Sequence, residues 1–216
     1  MEDSSLFIFD DYAYMAHELI SLSNLKMGKF QIRRFPNKEL SIKLDTKVCG
    51  LECFVLGSLA PPDTGIFSFL LLCHTLKKEG ASKITALLPY LAYSRHDKNE
   101  PQTSHTTAFI ATLFANIGID EIITFDIHSQ KTQQLFSIPV KSLSPASVFG
   151  KKIKSMMSEN LMIVAPDEGA IERCKEIAKE AGIDGKDIVY LVKKRMAEGI
   201  IHTELHGDIK KKAIIM

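Results

Sequence analysis

The stretch EIITFDIHSQ, Glu121 to Gln130, runs a short apolar strand directly into Asp126, His128 and Ser129. A second stretch, LMIVAPDEGA from Leu161 to Ala170, repeats the design, with Asp167 and Glu168 ahead of a helix opened by Gly169. Parallel strands deliver such polar residues to the carboxyl edge of a sheet, where open α/β folds bind ligands. Outward from these two, further apolar runs follow the same rule: LFIF (Leu6 to Phe9), CFVLG (Cys53 to Gly57), ITALLP (Ile84 to Pro89), DIVYLV (Asp187 to Val192) and AIIM (Ala213 to Met216). Helical periodicity fills the gaps over Tyr12–Leu22, Thr64–Lys78, Ser104–Ile117, Ser144–Met157 and Gly169–Ala181. This alternation predicts an α/β fold of βαβ units, with a mainly parallel sheet flanked by helices. Runs that are apolar on both faces suit central strands covered on each side.

One segment reads differently. In IRRFPNKELSIKLD, Ile32 to Asp45, the residues Leu40, Ile42 and Leu44 alternate with polar ones, the pattern of a half-exposed strand. Lys77 and Lys78 followed by Gly80 mark a helix end that agrees with the helix dipole. The expected organisation is one domain over 1–143 and the start of a second over 144–216. The second is expected to be incomplete, because AIIM reads as a buried strand with no helix or polar cap after it.

Charge excludes some partners. Twenty-seven basic against 26 acidic residues leave +1, so no whole-molecule field draws in nucleic acid or an anionic membrane. The opening MEDSSLFIFDD is acidic and unlike a signal peptide. The longest apolar stretch, Ile66 to Cys73, is far shorter than the roughly 20 residues of a membrane span. Cys49, Cys53, Cys73 and Cys174 follow no metal-site spacing; Cys53 and Cys73 sit among apolar residues and read as buried thiols. A cytoplasmic location is expected.

Several strand ends carry candidate chemistry. Arg95 and Lys98 in Ser94-Arg95-His96-Asp97-Lys98 are suited to phosphate, the guanidinium by a bidentate fork and the ammonium as a point charge. A solvated charged loop is the alternative. His128 can help hold a divalent ion and the phosphates on it, or be a half-buried strand histidine. Asp167 and Glu168 can take Mg²⁺ or sugar hydroxyls, or Asp167 can simply cap a helix. Lys193, Lys194 and Arg195 follow the strand DIVYLV in a basic stretch that could steady a transferring phosphoryl group, or form a solvated hairpin. HTELH, His202 to His206, has two histidines four apart but no Glu directly after the first, and its alternation suits an exposed strand rather than zinc. No GxxxxGK[ST] loop is present.

Taken in order, these motifs resemble the ribose-phosphate diphosphokinase family from about Phe7 to Met216. The family's Arg-Phe-x-Asp-Gly-Glu segment is here Arg34-Phe35-Pro36-Asn37-Lys38-Glu39. Its Tyr-x-Arg-Gln-Asp stretch is Tyr93-Ser94-Arg95-His96-Asp97, its Asp-Leu-His is Asp126-Ile127-His128, its Pro-Asp step is Pro166-Asp167, and its Lys-x-Arg pair is Lys193 and Arg195. The resemblance implies type I phosphoribosyltransferase-like domains. It implies ATP bound by Phe35, Asn37 and Glu39 around the adenine and by Arg95, His96 and Asp97 along the phosphates. Mg²⁺ would be held with help from His128 and Asp167, Asp167 would also lie beside the ribose, and Lys193 and Arg195 would be catalytic. The implied reaction moves pyrophosphate from Mg-ATP to the anomeric hydroxyl of ribose 5-phosphate, in a homo-oligomer whose adenine site is shared between subunits. Asn37 and Lys38 in place of Asp and Gly, and His96 in place of Gln, depart from the pattern. The family's loop for the sugar 5-phosphate, expected after AIIM, is not in the sequence. A regulatory relative without catalysis, or a phosphoribosyltransferase, are the competing expectations.

Overall fold

A computed structural model describes residues 4–156, 161–183, 188–195, 201–207, 209 and 212–215. The chain divides into two compact units, Met1–Leu143 and Ser144–Met216.

The first unit is built on a six-stranded sheet. Its strands are β1 (Ser4–Ile8), β2 (Lys26–Met27), β5 (Glu52–Leu56), β6 (Lys83–Leu88), β7 (Glu121–Phe125) and β8 (Val140–Leu143). They lie in the order β2-β1-β5-β6-β7-β8, and every pairing is parallel. The helices are α1 (Ala16–Leu22), α2 (Thr64–Lys78), α3 (Thr106–Asn116) and the short α4 (Gln130–Gln134). The chain steps outward in one direction from β5 through β8 and in the other from β1 to β2, so the right-handed crossover rule assigns α2 to α4 to one face and α1 to the other. An antiparallel hairpin of β3 (Phe30–Arg34) and β4 (Leu40–Leu44) completes the unit. Leu40, Ile42 and Leu44 are half-buried, as their alternation predicts.

The core follows from spacing. On α2 the buried side chains are Ser68, Phe69, Leu72, Cys73 and Leu76, a stripe at three- and four-residue intervals. α3 buries Thr107, Ile110, Ala111 and Phe114 in the same way. Rings link the layers: Phe30 meets Phe9 at 5.3 Å, Phe9 stacks on Phe69 at 5.9 Å, Phe69 on Phe114 at 6.3 Å, and Phe114 meets Phe136 at 6.3 Å. Cys53 and Cys73 are buried in this core, and burial pushes the Cys53 thiol up to about 11. Cys174 is also buried, whereas Cys49 is exposed. Native protein is therefore expected to take up one equivalent of iodoacetamide quickly at pH 8, at Cys49, and all four only after unfolding. Mass spectrometry of the alkylated peptides checks this.

The second unit carries β9 (Leu161–Ala165), β10 (Val189–Arg195), β11 (Ile201–His206) and β12 (Lys212–Ile215) in the order β11-β10-β9-β12. β9 pairs in parallel with β10 and β12, while β10 and β11 are antiparallel. α5 (Ala146–Ser155) and α6 (Ile171–Ala181) pack on each other. Gly150 permits that approach, because a Cβ there would meet the Glu180 Cβ at 2.3 Å.

Some expected elements differ. The helix expected over Tyr12–Leu22 is a 3₁₀ segment, Asp10–Met15, followed by α1. The expected strand start Asp187 lies outside the described residues, as does Met216. β10 does not end at Val192: antiparallel pairing with β11 carries it through Lys193 and Lys194 to Arg195, opposite Ile201. Among the described residues no helix is long and apolar enough to cross a membrane.

Candidate functional site

β6 ends at Leu88, and Leu91 and Ala92 then pack into the core and hold the following loop down. Tyr93 takes φ +63, a left-handed conformation that costs a non-glycine residue roughly 1 kcal/mol. Three contacts hold it there. Its hydroxyl donates to the Asp63 carboxylate, which raises the phenol above its ordinary range. Its carbonyl accepts from Thr107 Oγ1 at 2.6 Å and from the His96 N–H at 2.9 Å. The resulting turn buries Ser94 and leaves Arg95, His96 and Lys98 exposed, with the His96 ring edge-on to Tyr93 at 6.4 Å.

The loop after β7 is shaped by its neighbour β8. Asp126, at φ +48, donates its N–H to the Leu143 carbonyl at 3.0 Å, and the Ile127 N–H donates to Ser142 Oγ at 3.0 Å. β7 ends at Phe125, so His128 lies beyond the strand and is exposed. That removes the reading of His128 as a half-buried strand histidine. Ser129 caps α4: its Oγ accepts from the Thr132 N–H at 3.1 Å and donates to Asp97 Oδ2 at 2.6 Å. Thr132 is fully buried, and its Oγ1 donates to the Ser94 carbonyl at 2.8 Å. The Ser129 hydroxyl, the charge of His128, and lesser hydrogen bonds from Thr132 and the Asp97 backbone hold the Asp97 carboxyl below the usual carboxylate range, against the opposing effect of burial. The loops after β6 and β7 are thus tied together, presenting Arg95, His96, Asp97 and His128 along one stretch of the carboxyl edge.

Other candidate residues lie apart. Phe35, Asn37 and Glu39 occupy the tip of the β3–β4 hairpin, where the Phe35 ring is 56% exposed. Asn37 Oδ1 accepts from the Glu39 N–H at 3.2 Å, and Lys38 sits at φ +69, a conformation in which glycine would be unstrained. The hairpin and the start of α2 enclose a pocket of about 510 Å³ lined by Arg34, Lys38, Glu39, Leu40, Thr64 and Phe67. Among the described residues no hydrogen bond joins the hairpin tip to residues 95–97.

In the second unit, Asp167 has extended backbone, and its Oδ1 accepts from the Ala170 N–H at 3.1 Å, the capping geometry. Lys193 and Arg195 belong to β10, opposite Thr203 and Ile201. HTELH forms most of β11; Glu204 and His206 are exposed and His206 stacks on Tyr190 at 5.3 Å, as a strand face does.

Among the described residues no group of three or more His, Cys, Asp or Glu could by itself hold a metal. Mg²⁺ usually keeps several waters and takes only one or two protein ligands beside substrate phosphates. An exposed imidazole next to carboxylates fits an ion that comes with a phosphate ligand, rather than one caged by protein.

The sequence brought out Asp97, His128 and Ser129. It gave no sign of Asp63 or of Thr132, which lies in the polar-looking helix QKTQQ. The burial of Thr132 is seen only in the fold, so nothing in QKTQQ marks it beforehand.

Residues 4–118 match the family model for the N-terminal domain of ribose phosphate pyrophosphokinase. A ribose-phosphate pyrophosphokinase of Campylobacter jejuni is 32% identical over 204 residues, covering 93% of this chain and 65% of the relative. Another, from Porphyromonas gingivalis, is 29% identical over 215 residues, covering 98% and 68%. The chain thus spans about two thirds of the length of these relatives. The crystal structure of a phosphoribosylpyrophosphate synthetase from Mycobacterium smegmatis shares the fold, with a TM-score of 0.86 at 24% identity, over 99% of this chain and 70% of the other.

Proposed function

The chain belongs to the ribose-phosphate pyrophosphokinase family, and we propose from that premise that it takes part in diphosphoryl transfer from Mg-ATP to ribose 5-phosphate. The observation that carries the reading is the pair of tied loops, which set Arg95, His96, Asp97 and His128 on adjacent strand ends. Arg95, with a forked donor set, binds the ATP phosphates, and His96 and Asp97 flank it. The hairpin tip with Phe35, Asn37 and Glu39 serves the adenine of a neighbouring subunit in a homo-oligomer. Asp167 faces the ribose in the same reading.

In the reaction, the anomeric hydroxyl oxygen bonds to the β-phosphorus and gives up its proton to solvent, the bond from that phosphorus to the bridging oxygen of the α-phosphate breaks, and AMP leaves with that oxygen. Little covalent chemistry falls to the protein, so positioning and charge neutralisation dominate. His128 would help hold Mg²⁺, which when bound neutralises charge on the phosphate oxygens; Asp167, in the second unit, is proposed separately as a Mg²⁺ ligand. Lys193 and Arg195 steady the transferring group. A cytoplasmic location accords with this chemistry.

The test is AMP release from ATP and Mg²⁺, with and without ribose 5-phosphate. Release that depends on the sugar phosphate supports the reading. ATP bound without release leaves two readings, a regulatory relative or an enzyme that also needs the part of its relatives this chain does not span, and a longer chain decides between them; no ATP binding at all overturns both. Phe35→Ala is expected to weaken ATP binding by about 1 to 3 kcal/mol, the scale of one lost base stack, with ribose 5-phosphate binding unchanged. Titration calorimetry with each ligand separates the two, and because the ring is exposed the fold is retained.

A further inference from the structure

We propose that Ser129 and Thr132 are positioning residues for the phosphate-binding turn, acting through Asp97 and the Ser94 carbonyl to hold that turn in register with His128. The inference rests on the reading of this edge as the ATP site, and goes beyond it by assigning the two hydroxyls that build the site.

The two loops come from strands that are adjacent in the sheet but far apart in sequence. Asp97 and Ser129 are 32 residues apart, and Ser94 and Thr132 are 38 apart. The β6–β7 ladder itself stops at Leu88 and Thr124, so backbone pairing does not reach either loop. The link depends on side chains. Ser129 Oγ gives its one proton to Asp97 and takes the Thr132 N–H, so its rotamer is fixed from both sides. Thr132 Oγ1 gives its proton to the Ser94 carbonyl at 2.8 Å, and its 3.4 Å separation from Asp97 Oδ2 is the longer, secondary contact. Ser94 and Thr132 are both buried, so the carbonyl has no ready replacement donor in water. Arg95 and His96 stand between the two anchored positions, Ser94 and Asp97. Their exposed side chains therefore project from a backbone fixed at both ends, the arrangement expected of a preorganised anion site.

A residue that acts only through another leaves a signature in a double-mutant cycle. Mg-ATP affinity is measured by calorimetry on the chain, on Ser129→Ala, on Asp97→Ala and on the double variant. Ser129→Ala is expected to weaken Mg-ATP about 10-fold alone and less than about twofold in the Asp97→Ala background, where the acceptor of its proton is gone. Hydrogen exchange at residues 93–97 should accelerate in Ser129→Ala, with or without ATP. Thr132→Ser, which keeps the hydroxyl, should bind as the unchanged chain does, and Thr132→Val should lose affinity together with protection at residues 93–97. Unchanged affinity and exchange in Ser129→Ala overturn the proposal, as does an equal loss in both backgrounds. If the unchanged chain binds no Mg-ATP, the ATP reading fails, and hydrogen exchange alone then decides whether the two hydroxyls couple the loops.

Discussion

Replacing His128 by alanine is expected to lower sugar-phosphate-dependent AMP release by about 100- to 1,000-fold, the usual loss when one preorganised charge partner is removed from a phosphoryl-transfer site. The melting temperature should barely move. His128 is exposed beyond the end of β7, so its truncation leaves no cavity and no buried polar group unpaired. The two readouts together make the test sharp: a large fall in rate with an unchanged melting curve assigns a role at the reacting phosphates. Raising Mg²⁺ should recover part of the rate if the imidazole contributes to holding the ion, since the remaining ligands then fill by mass action. Lys193→Ala is expected to match the fall without that recovery, because a cation steadying charge is not replaced by more metal. Unchanged rates in both variants would sink both assignments.

Within each unit, only part of the candidate machinery can be read from sequence. The strands β5, β6, β7 and β9 announce themselves because both of their faces are covered, which forces runs such as ITALL and LMIVA. β8 does not, since at the sheet's edge Lys141 and Ser142 are exposed and the four residues look like loop. Yet β8 shapes the site, because Leu143 and Ser142 hold Asp126 and Ile127. Lys193 and Arg195 are strand residues for a nonlocal reason: their partners Thr203 and Ile201 supply the ladder, and a basic tripeptide carries no strand signal of its own. The Asp97–Ser129 contact is hidden in the same way. Each residue type is ordinary, and only the parallel pairing of β6 with β7 brings the two loops together. Strand ends thus point to where chemistry sits, while the side chains that organise it are set by the tertiary fold.

Phe69→Ala is expected to destabilise the protein by about 3 to 5 kcal/mol, a large share of the roughly 5 to 15 kcal/mol that holds a typical domain together. The ring is 1% exposed and stands between Phe9 and Phe114 at 5.9 and 6.3 Å, so it joins the loop after β1 to α2 and α3. Gly57, directly after β5, approaches it so closely that an added Cβ would lie 2.7 Å from its Cδ2. The surrounding backbone is therefore built around this side chain and collapses poorly into the space it leaves, which puts the cost at the upper part of the range. Urea unfolding followed by a signal from the first unit should show a lower midpoint with an unchanged slope. Phe69→Leu separates volume from ring contact. It keeps most of the volume but loses both aromatic partners, so a loss of about 1 to 2 kcal/mol is expected. A leucine variant as unstable as the alanine one would locate the energy in the ring stack. An alanine variant within 1 kcal/mol of the unchanged chain, or about fivefold in the unfolding constant, would show instead that the layer repacks freely and that Phe69 does not set the spacing of α2 over the sheet.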